Sequence, residues 1–433
     1  VAGRDLLRSG IEDFVVLEAQ EEVGGRIKSF TRENGRKLEK GAEFTGPGQP
    51  TVLSIGEDLG LATSPMVDWP EDPEEMGLGV RLHNGQRILE PFPMADDPDA
   101  TAAFEEAVAA FGTLISELPE DLSDPRCVEL DKKTVGEWAD ENVSNELARE
   151  AFVDAALVFG PGYETSLLFA LAYAERFKWV EMDPTSIDRR FVTGTSSLIA
   201  GLAREIGDRI VLSAPVRKII HGDDGVTIET DQGAVTAQAV IVAMDPGLVA
   251  AIEFDPPVPA DRAKLQTRWN GLSGAKVTAI YDEQFWKDEG LSGFGSGGEV
   301  SVVAIGSTSA EGEPTLGGMI FAIGSNTEKV SRILQDPELA RQAVLEDFAA
   351  YFGPKALDAK EVHIFDWHGQ RWSQSAGGAT LAPGVLTTCG AALTRPLGRV
   401  IWAGEAAGTG VYMEAAASAG VAAATEAAKL VSR

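Results

Sequence analysis

The first residues that could do chemistry are a carboxylate and a glycine-rich arginine segment near the start of the chain. Glu18 follows an apolar run at residues 14–17, and Gly24, Gly25 and Arg26 come shortly after it. A carboxylate at a strand end can accept hydrogen bonds from both ribose hydroxyls of a nucleotide, paired glycines let the backbone approach a pyrophosphate, and an arginine can neutralise it. Taken alone, the pattern is equally typical of a surface Glu followed by an ordinary glycine turn.

Lys276 is a second candidate, because a buried ammonium can stabilise negative charge that develops in a reaction. Apolar and polar residues alternate through residues 276–281 and again through residues 300–305. This alternation is typical of an antiparallel sheet with one solvated face. The alternation alone favours a lysine that simply faces solvent.

The histidines and cysteines do not have the spacing of a metal site or a disulfide framework. They are His83, His221, His363, His368, Cys127 and Cys389. No HxxxH, HExxH or CxxC pattern occurs among them. We therefore expect no metal and no disulfide, and we expect both cysteines to be small buried residues.

The segment before Glu18 fits a nucleotide-binding unit. Residues 1–10 have helical periodicity and end in a glycine, and residues 14–17 predict a strand. In a βαβ nucleotide-binding unit the acidic residue lies about 20 residues beyond the GxGxxG fingerprint. Counting back from Glu18 puts the fingerprint at or before Val1, so we expect the first strand and its glycine turn to be missing from this sequence.

The remaining patterns predict a mixture of helices, buried strands and a hairpin. In chain order, we expect amphipathic helices within residues 100–149 with turn signals at Pro119 and Pro125, a helix at 200–206, a strand at 210–212, a hairpin at 225–230 and 234–238, buried strands at 240–243 and 400–403, and an alanine-rich helix at 412–431.

A family resemblance joins these segments. Residues 16–20 with Gly24, Gly25 and Arg26 resemble the LEAR…GGR segment of the flavin-containing amine oxidases, which include monoamine oxidases, polyamine oxidases and L-amino-acid oxidases. Further segments resemble that family in the same order along the chain. They are residues 41–49, 166–169, 191–195, 215–216, 243–246, 274–276, 367–387, 403–405 and 410–415.

The resemblance implies a set of site residues around noncovalently bound FAD. The implied cofactor-binding residues are Glu18, Gly24, Gly25, Arg26, Gly41, Ala42, Glu43, Phe44, Val216, Trp367, Gly404, Glu405, Tyr412, Met413 and Ala415. The implied catalytic residues are Lys276, which in the family holds a water at the flavin N5, Tyr412 and Trp372. The implied substrate-cavity residues are Phe44, Leu157, Phe169, Gly377 and Thr380.

The chain departs from the family at the aromatic cage of mitochondrial monoamine oxidases. Ala376 stands where they carry the cysteine that bonds to the flavin, and Gly377 replaces the adjacent tyrosine. Sliding the alignment puts Ala379 and Thr380 at these two places instead. Either alignment implies noncovalent FAD and a cage reduced to Tyr412, and hence a site open to bulkier or secondary amines.

Two further departures lie near the last motif. Val411 and Ala415 stand where the family usually has glycines. They are expected to add side chains near the cofactor.

Charge and hydropathy exclude several partners. The 433 residues carry a formal net charge of −30, which opposes binding to nucleic acid or anionic lipid. No window approaches the roughly 18 to 20 apolar residues of a membrane-spanning helix. We expect a cytoplasmic protein, although secretion stays open because Val1 is not an initiator Met. A homodimer is compatible with this interpretation.

Together these patterns predict an α/β fold of mixed character, with a Rossmann-type FAD-binding domain and a substrate domain of antiparallel sheet plus helices. The FAD-binding domain is expected over residues 1–75, 190–262 and 370–433, and the substrate domain over residues 76–189 and 263–369.

The expected function is oxidation of an amine to an imine, with O₂ reduced to H₂O₂ and the imine hydrolysed to an aldehyde or ketone. One alternative is an L-amino-acid oxidase, although no arginine matches that family's carboxylate clamp. The other is a noncatalytic, flavin-free relative that acts as a binding or scaffold protein.

Overall fold

The structure is a computed structural model that describes residues 1–65, 77–83, 85–90, 97–156, 160–177, 187–300, 302–308, 312–322, 327–373, 375, 378–409 and 412–431. Its α-helices are α1 (Ala2–Arg8), α2 (Pro50–Asp58), α3 (Pro98–Ser116), α4 (Pro125–Leu130), α5 (Val135–Asn142), α6 (Glu146–Ala155), α7 (Leu167–Phe177), α8 (Ser196–Ile206), α9 (Pro246–Val249), α10 (Ala260–Arg268), α11 (Thr327–Leu334), α12 (Pro337–Phe352), α13 (Leu386–Cys389) and α14 (Tyr412–Val431).

The strands are shorter on average than the helices. They are β1 (Val16–Leu17), β2 (Ser29–Thr31), β3 (Lys37–Glu39), β4 (Phe44–Thr45), β5 (Thr63–Pro65), β6 (Leu78–His83), β7 (Gln86–Glu90), β8 (Arg189–Phe191), β9 (Ile210–Val211), β10 (Val216–His221), β11 (Val226–Thr230), β12 (Gly233–Ala237), β13 (Val240–Ala243), β14 (Glu253–Asp255), β15 (Asn270–Gly271), β16 (Gly274–Ile280), β17 (Leu291–Ser296), β18 (Val302–Thr308), β19 (Pro314–Phe321), β20 (Glu361–Asp366), β21 (Ala379–Thr380) and β22 (Val400–Ala403).

Asp-Pro pairs start several of the helices. In α3, α4, α9 and α12 the residue before the first proline is an aspartate whose carboxylate accepts a hydrogen bond from a backbone N–H of the first turn. Proline suits this position because it lacks a backbone N–H, and an N–H in the first turn of a helix has no partner within the helix. Pro125, which the sequence suggested as a turn, therefore begins α4.

Parallel strand pairs carry the predicted nucleotide-binding segments. Strand β1 pairs with β9, and β13 pairs with β22. The predicted hairpin forms as β11 and β12, and β10 extends it on the other side. The strands predicted at residues 240–243 and 400–403 are confirmed with the same bounds.

An antiparallel sheet supports Lys276. Its strand order is β20-β16-β19-β18-β17-β6-β7, with the β17–β6 pair parallel. On β16, Ala275, Val277 and Ala279 are fully buried in a core to which Phe348 of α12 also belongs. Because side chains alternate along a strand, Lys276 lies on the opposite face.

The mixed α/β fold class predicted from the sequence is confirmed by these two kinds of sheet. The seven-stranded sheet takes all its strands from residues 78–90 and 274–366. The domain boundaries themselves stay a prediction. None of the helices in the described ranges is long and apolar enough to cross a membrane.

Candidate active site

A cavity of about 2200 Å³ brings most of the predicted site residues together. A pocket for one small ligand usually has about 300 to 1,000 Å³, so this cavity has room for a dinucleotide together with a substrate. Predicted residues that line it are Glu18, Gly24, Gly25, Arg26, Gly41, Ala42, Glu43, Phe44, Phe169, Val216, Lys276, Trp367, Trp372, Gly404, Glu405, Tyr412 and Met413.

Two predicted residues do not line the cavity. Thr380 is 5% exposed, and its hydroxyl donates to the Thr165 hydroxyl at 2.8 Å. Its side chain therefore packs against Thr165 and does not face the cavity. Ala415 is 1% exposed, and its carbonyl oxygen lies against Gly408, where an added Cβ would be only 1.7 Å away. The methyl group of Ala415 thus does not crowd the cavity.

Other predictions fall outside the described residues. These are Leu157 and Gly377, together with Ala376 and Val411.

Glu18 is fixed at one end of the cavity by backbone hydrogen bonds. Its N–H donates to Val211 O at 2.9 Å, and its own carbonyl accepts from the Ala214 N–H at 2.8 Å. The carboxylate accepts from the Gln20 N–H at 2.8 Å. Burial raises the pKa of the Glu18 carboxyl despite these hydrogen bonds. A half-buried acceptor is therefore held in the cavity that Val216 also lines.

Arg26 and Glu405 form an ion pair across the cavity wall. Their side chains meet at 2.5 Å, although they are far apart in sequence. Gly404 has a φ of +95°, a value that favours glycine. The chain turns at Gly404, and the side chain of the next residue, Glu405, contacts Arg26. Asp245 adds a second negative charge near Arg26, and burial raises the pKa of the Asp245 carboxyl.

Gly41 is a point of close approach between three parts of the chain. A Cβ at this position would lie 2.0 Å from the carbonyl oxygen of Arg26 and 2.8 Å from the Trp367 ring. The Gly41 carbonyl accepts a hydrogen bond from the Lys276 ammonium at 2.9 Å. Only glycine lets the backbone reach Lys276 in this way.

Lys276 belongs to a largely buried charge cluster. Its Nζ lies 2.6 Å from Glu43 Oε2, and Arg190 Nη1 lies 3.3 Å from Glu43 Oε1. The lysine side chain is 12% exposed, so the alternative of a solvent-facing lysine is wrong. Burial alone would raise the pKa of Glu43, but the charges of Lys276 and Arg190 outweigh it and lower that pKa.

Phe44 lies against the same two cations. The Arg190 guanidinium is 5.5 Å and the Lys276 ammonium 5.9 Å from the centre of its ring. Contacts of this kind attract a cation to an aromatic face. Phe44, Glu43, Lys276 and Arg190 thus form one unit, which we call the lysine cluster.

The two tryptophans occupy different places. Trp367 is 1% exposed, and its indole N–H donates to Lys40 O at 2.8 Å. Trp372 lies 5.7 Å from the Arg217 guanidinium, next to Val216. Trp372 therefore lines the cavity beside Arg217, and its catalytic role stays a prediction.

Tyr412 begins α14 with a φ of +57°, an unusual value for a residue other than glycine. Such backbone strain is often retained at functional sites. Burial raises the pKa of the Tyr412 hydroxyl well above its usual value, so the phenol is neutral. Glu414, in the same turn, caps α2 by accepting from the Thr51 and Val52 N–H groups.

Tyr173, Arg176 and Arg190 are among the residues that line the cavity and that the sequence patterns missed. Helical spacing from Phe169 could have identified the first two, because positions i+4 and i+7 share a helix face. Arg190 gave no such signal, since it reaches the site through pairing of β8 with β4.

Comparison with known proteins gives consistent matches over the whole chain. A family model described as flavin containing amine oxidoreductase matches residues 1–428. An L-amino acid dehydrogenase of Synechocystis sp. is 30% identical over 425 residues, which cover 93% of this chain and 86% of that protein. A putrescine oxidase of Kocuria rosea is 29% identical over 427 residues, which cover 93% and 87%.

A solved structure agrees with the fold. The cyclohexylamine oxidase of Brevibacterium oxydans has a TM-score of 0.89 and 28% identity, covering 100% of this chain and 97% of that one. The resemblance predicted from the sequence is confirmed. The chain belongs to the flavin-containing amine oxidoreductases, a family of enzymes that act on amines.

Proposed function

We propose that this chain binds FAD noncovalently and oxidises the C–N bond of an amine, with O₂ as the electron acceptor. The observation that carries the proposal is the buried Lys276 ammonium, held by Gly41 and Glu43 in a cavity that also contains the predicted nucleotide-binding residues.

The residues present fit FAD. Glu18 offers a half-buried carboxylate for ribose hydroxyls, and the resemblance predicts a pyrophosphate near the Arg26–Glu405 pair. Gly25 has a φ of +58°, and nothing lies within 4 Å of the position where its Cβ would be. The backbone at Gly25 is therefore open to close approach by a ligand. When bound, the flavin supplies the acceptor for a hydride equivalent and the electrons that reduce oxygen.

Noncovalent binding is supported by the positions of the cysteines. The chain has only Cys127 and Cys389, which are 0% and 2% exposed. Neither side chain lines the cavity. A thioether from cysteine to the flavin is therefore incompatible with this arrangement.

The chain's own residues favour the neutral form of the amine and stabilise the negative charge that develops on oxygen. The apolar side chains Phe44, Phe169 and Met319 line the cavity, and desolvation favours the neutral amine whose lone pair is needed for oxidation. Lys276 holds a positive charge that stabilises negative charge developing during oxygen reduction.

The net reaction consumes one amine, one O₂ and one water and yields a carbonyl compound, ammonia and H₂O₂ when the amine is primary. The carbon loses hydride, the nitrogen loses a proton, and water hydrolyses the resulting C=N bond.

The direct test measures oxygen uptake and H₂O₂ formation by FAD-loaded protein with benzylamine, cyclohexylamine, putrescine and L-amino acids. We expect equal amounts of O₂ consumed and H₂O₂ formed with at least one amine. Turnover that needs an artificial dye and consumes no O₂ would contradict the proposed acceptor.

An L-amino acid is the second candidate substrate, and Arg176 favours it. This exposed arginine lines the cavity from α7, close enough to Tyr173 for its charge to act on that hydroxyl. Arg176, Arg190 and Lys276 all line the cavity, and Glu43 pairs with the last two. A substrate carboxylate would be attracted to Arg176.

Arg176→Gln distinguishes the two candidates. If the substrate carries a carboxylate, kcat/KM for the amino acid should fall about tenfold, since a charged hydrogen bond of this kind contributes roughly 1.5 kcal/mol or more. Rates with cyclohexylamine should stay within about twofold. Arg332→Gln, at an exposed arginine that does not line the cavity, is the matched control. Equal losses on both substrates would exclude a carboxylate-binding role.

A further inference from the structure

We propose that Tyr173 of α7 forms the second aromatic wall of the substrate site, with Tyr412 as the first. Both side chains line the cavity. This inference rests on the proposed function, because the wall is assigned to an amine that is oxidised there. It replaces the expectation, drawn from Gly377, that the site lacks its second wall.

The register of α7 directs Tyr173 into the cavity. Phe169, Ala172, Tyr173 and Arg176 all line it, with the i, i+3, i+4, i+7 spacing of one helix face. The Phe169 and Tyr173 rings are 6.1 Å apart. The opposite face of the helix, with Leu171 among its members, is buried in a core that also contains Phe152. Rotation of the helix that would remove Tyr173 from the cavity would expose this core.

Gly378 provides the space that the phenol end of Tyr173 fills. A Cβ on Gly378 would lie 3.2 Å from the Tyr173 hydroxyl oxygen and 3.7 Å from its ring carbon Cζ. The Gly378 carbonyl is itself fixed, since it accepts from the Leu272 N–H at 3.0 Å and from the Ser375 hydroxyl at 3.0 Å. The tyrosine ring from α7 thus packs directly on the segment from which the family's cage tyrosine would come.

The surroundings of Tyr173 also fit a neutral aromatic wall. Burial raises the pKa of the Tyr173 hydroxyl well above its usual value, and Tyr412 and Glu405 are close enough to raise it further. The phenol of Tyr173 therefore stays neutral, as does that of Tyr412. Two neutral rings can hold an alkyl or aryl amine by apolar contacts without competing for its proton.

The experiment compares Tyr173→Leu with Tyr173→Phe in FAD-loaded protein. The probe is cumylamine, an arylalkylamine that has no hydrogen on the carbon bonded to nitrogen and so cannot be oxidised there; its Kd is measured by calorimetry. Loss of an aromatic contact of about 1.4 kcal/mol should weaken binding about tenfold in Tyr173→Leu. Tyr173→Phe keeps the ring and should stay within about twofold.

A second pair of variants tests the contact with Gly378. In Gly378→Ala the new methyl group displaces the hydroxyl, so cumylamine affinity should fall. In the double variant Tyr173→Phe/Gly378→Ala there is no hydroxyl to displace, and affinity should return close to that of Tyr173→Phe. These two variants also test whether Tyr173 forms the wall if Tyr173→Leu does not fold.

Wild-type affinity in both Tyr173→Leu and Gly378→Ala would overturn the proposal. If Tyr173→Leu does not fold, two results with Gly378→Ala would overturn the proposal. One is wild-type cumylamine affinity in Gly378→Ala. The other is an equal loss of affinity when Gly378→Ala is made in the wild type and in Tyr173→Phe. The proposed function fails separately, since a wild-type protein that binds FAD and oxidises no amine would refute it while the cumylamine affinities still test the wall.

Discussion

Replacing Lys276 with Met is expected to slow the reaction of the reduced enzyme with O₂ by about 100-fold, while FAD remains bound. The expected size matches the loss of one positioned charge-stabilising group from an active site. Met has nearly the same length as Lys but no charge, so the cavity keeps its shape. Stopped-flow mixing of the amine-reduced enzyme with oxygenated buffer measures the rate.

The matched control is Lys355→Met, which removes an exposed ammonium on another part of the chain. We expect it to react with O₂ at the wild-type rate. A Lys276→Met enzyme that retains wild-type oxygen reactivity would refute the role of this lysine.

Glu43→Gln is expected to lower the free energy of unfolding by roughly 3 kcal/mol, as found when one partner of a buried ion pair is removed. Glu43 contacts both Lys276 and Arg190, and its side chain is 22% exposed. The neutral amide leaves two cations near each other without the carboxylate between them. Urea denaturation of the FAD-free protein measures the change without a contribution from cofactor binding.

The effect should depend on pH in a defined direction. The folded state lowers the pKa of Glu43 below its ordinary value of 4.5, so its stabilising contribution is complete above that value. The contribution is lost as the pH falls through the folded-state pKa. The stability difference between wild type and Glu43→Gln should therefore shrink in acid.

Glu328→Gln is the control for this prediction, because its carboxylate is 90% exposed and pairs with Arg332 on the surface. Exposed pairs of this kind contribute little to stability, so we expect a change within about 0.5 kcal/mol. If Glu43→Gln were as stable as the control, the lysine cluster would not be the buried ionic unit described above.

Local sequence patterns predicted the elements that depend on local interactions. The strands Val240–Ala243 and Val400–Ala403 and the helix Tyr412–Val431 have the predicted bounds. Each combines a strong apolar pattern with clear ends, so neighbouring residues largely determine it. Pro125 shows the limit of such signals, because proline suits a turn and the first turn of a helix equally well.

The candidate site was harder to predict, because it depends on contacts between distant segments. Alternation along β16 favoured an exposed Lys276, but its ammonium bonds to Gly41 and Glu43, which are distant in sequence. Thr380 was predicted in the cavity but packs against Thr165. Arg190 was not predicted, because it reaches Glu43 across a strand pair. These contacts join residues from different segments, so no pattern within one segment can predict them.

We propose that this cavity binds FAD and that an amine reduces the bound FAD. The most direct measurement is an anaerobic titration of FAD-loaded protein with the amine panel, followed by the visible absorbance of the flavin. We predict that at least one amine bleaches this absorbance in a saturable way, and that FAD is released intact when the protein is denatured. A protein that binds no FAD, or whose bound FAD is bleached by no amine, would contradict it.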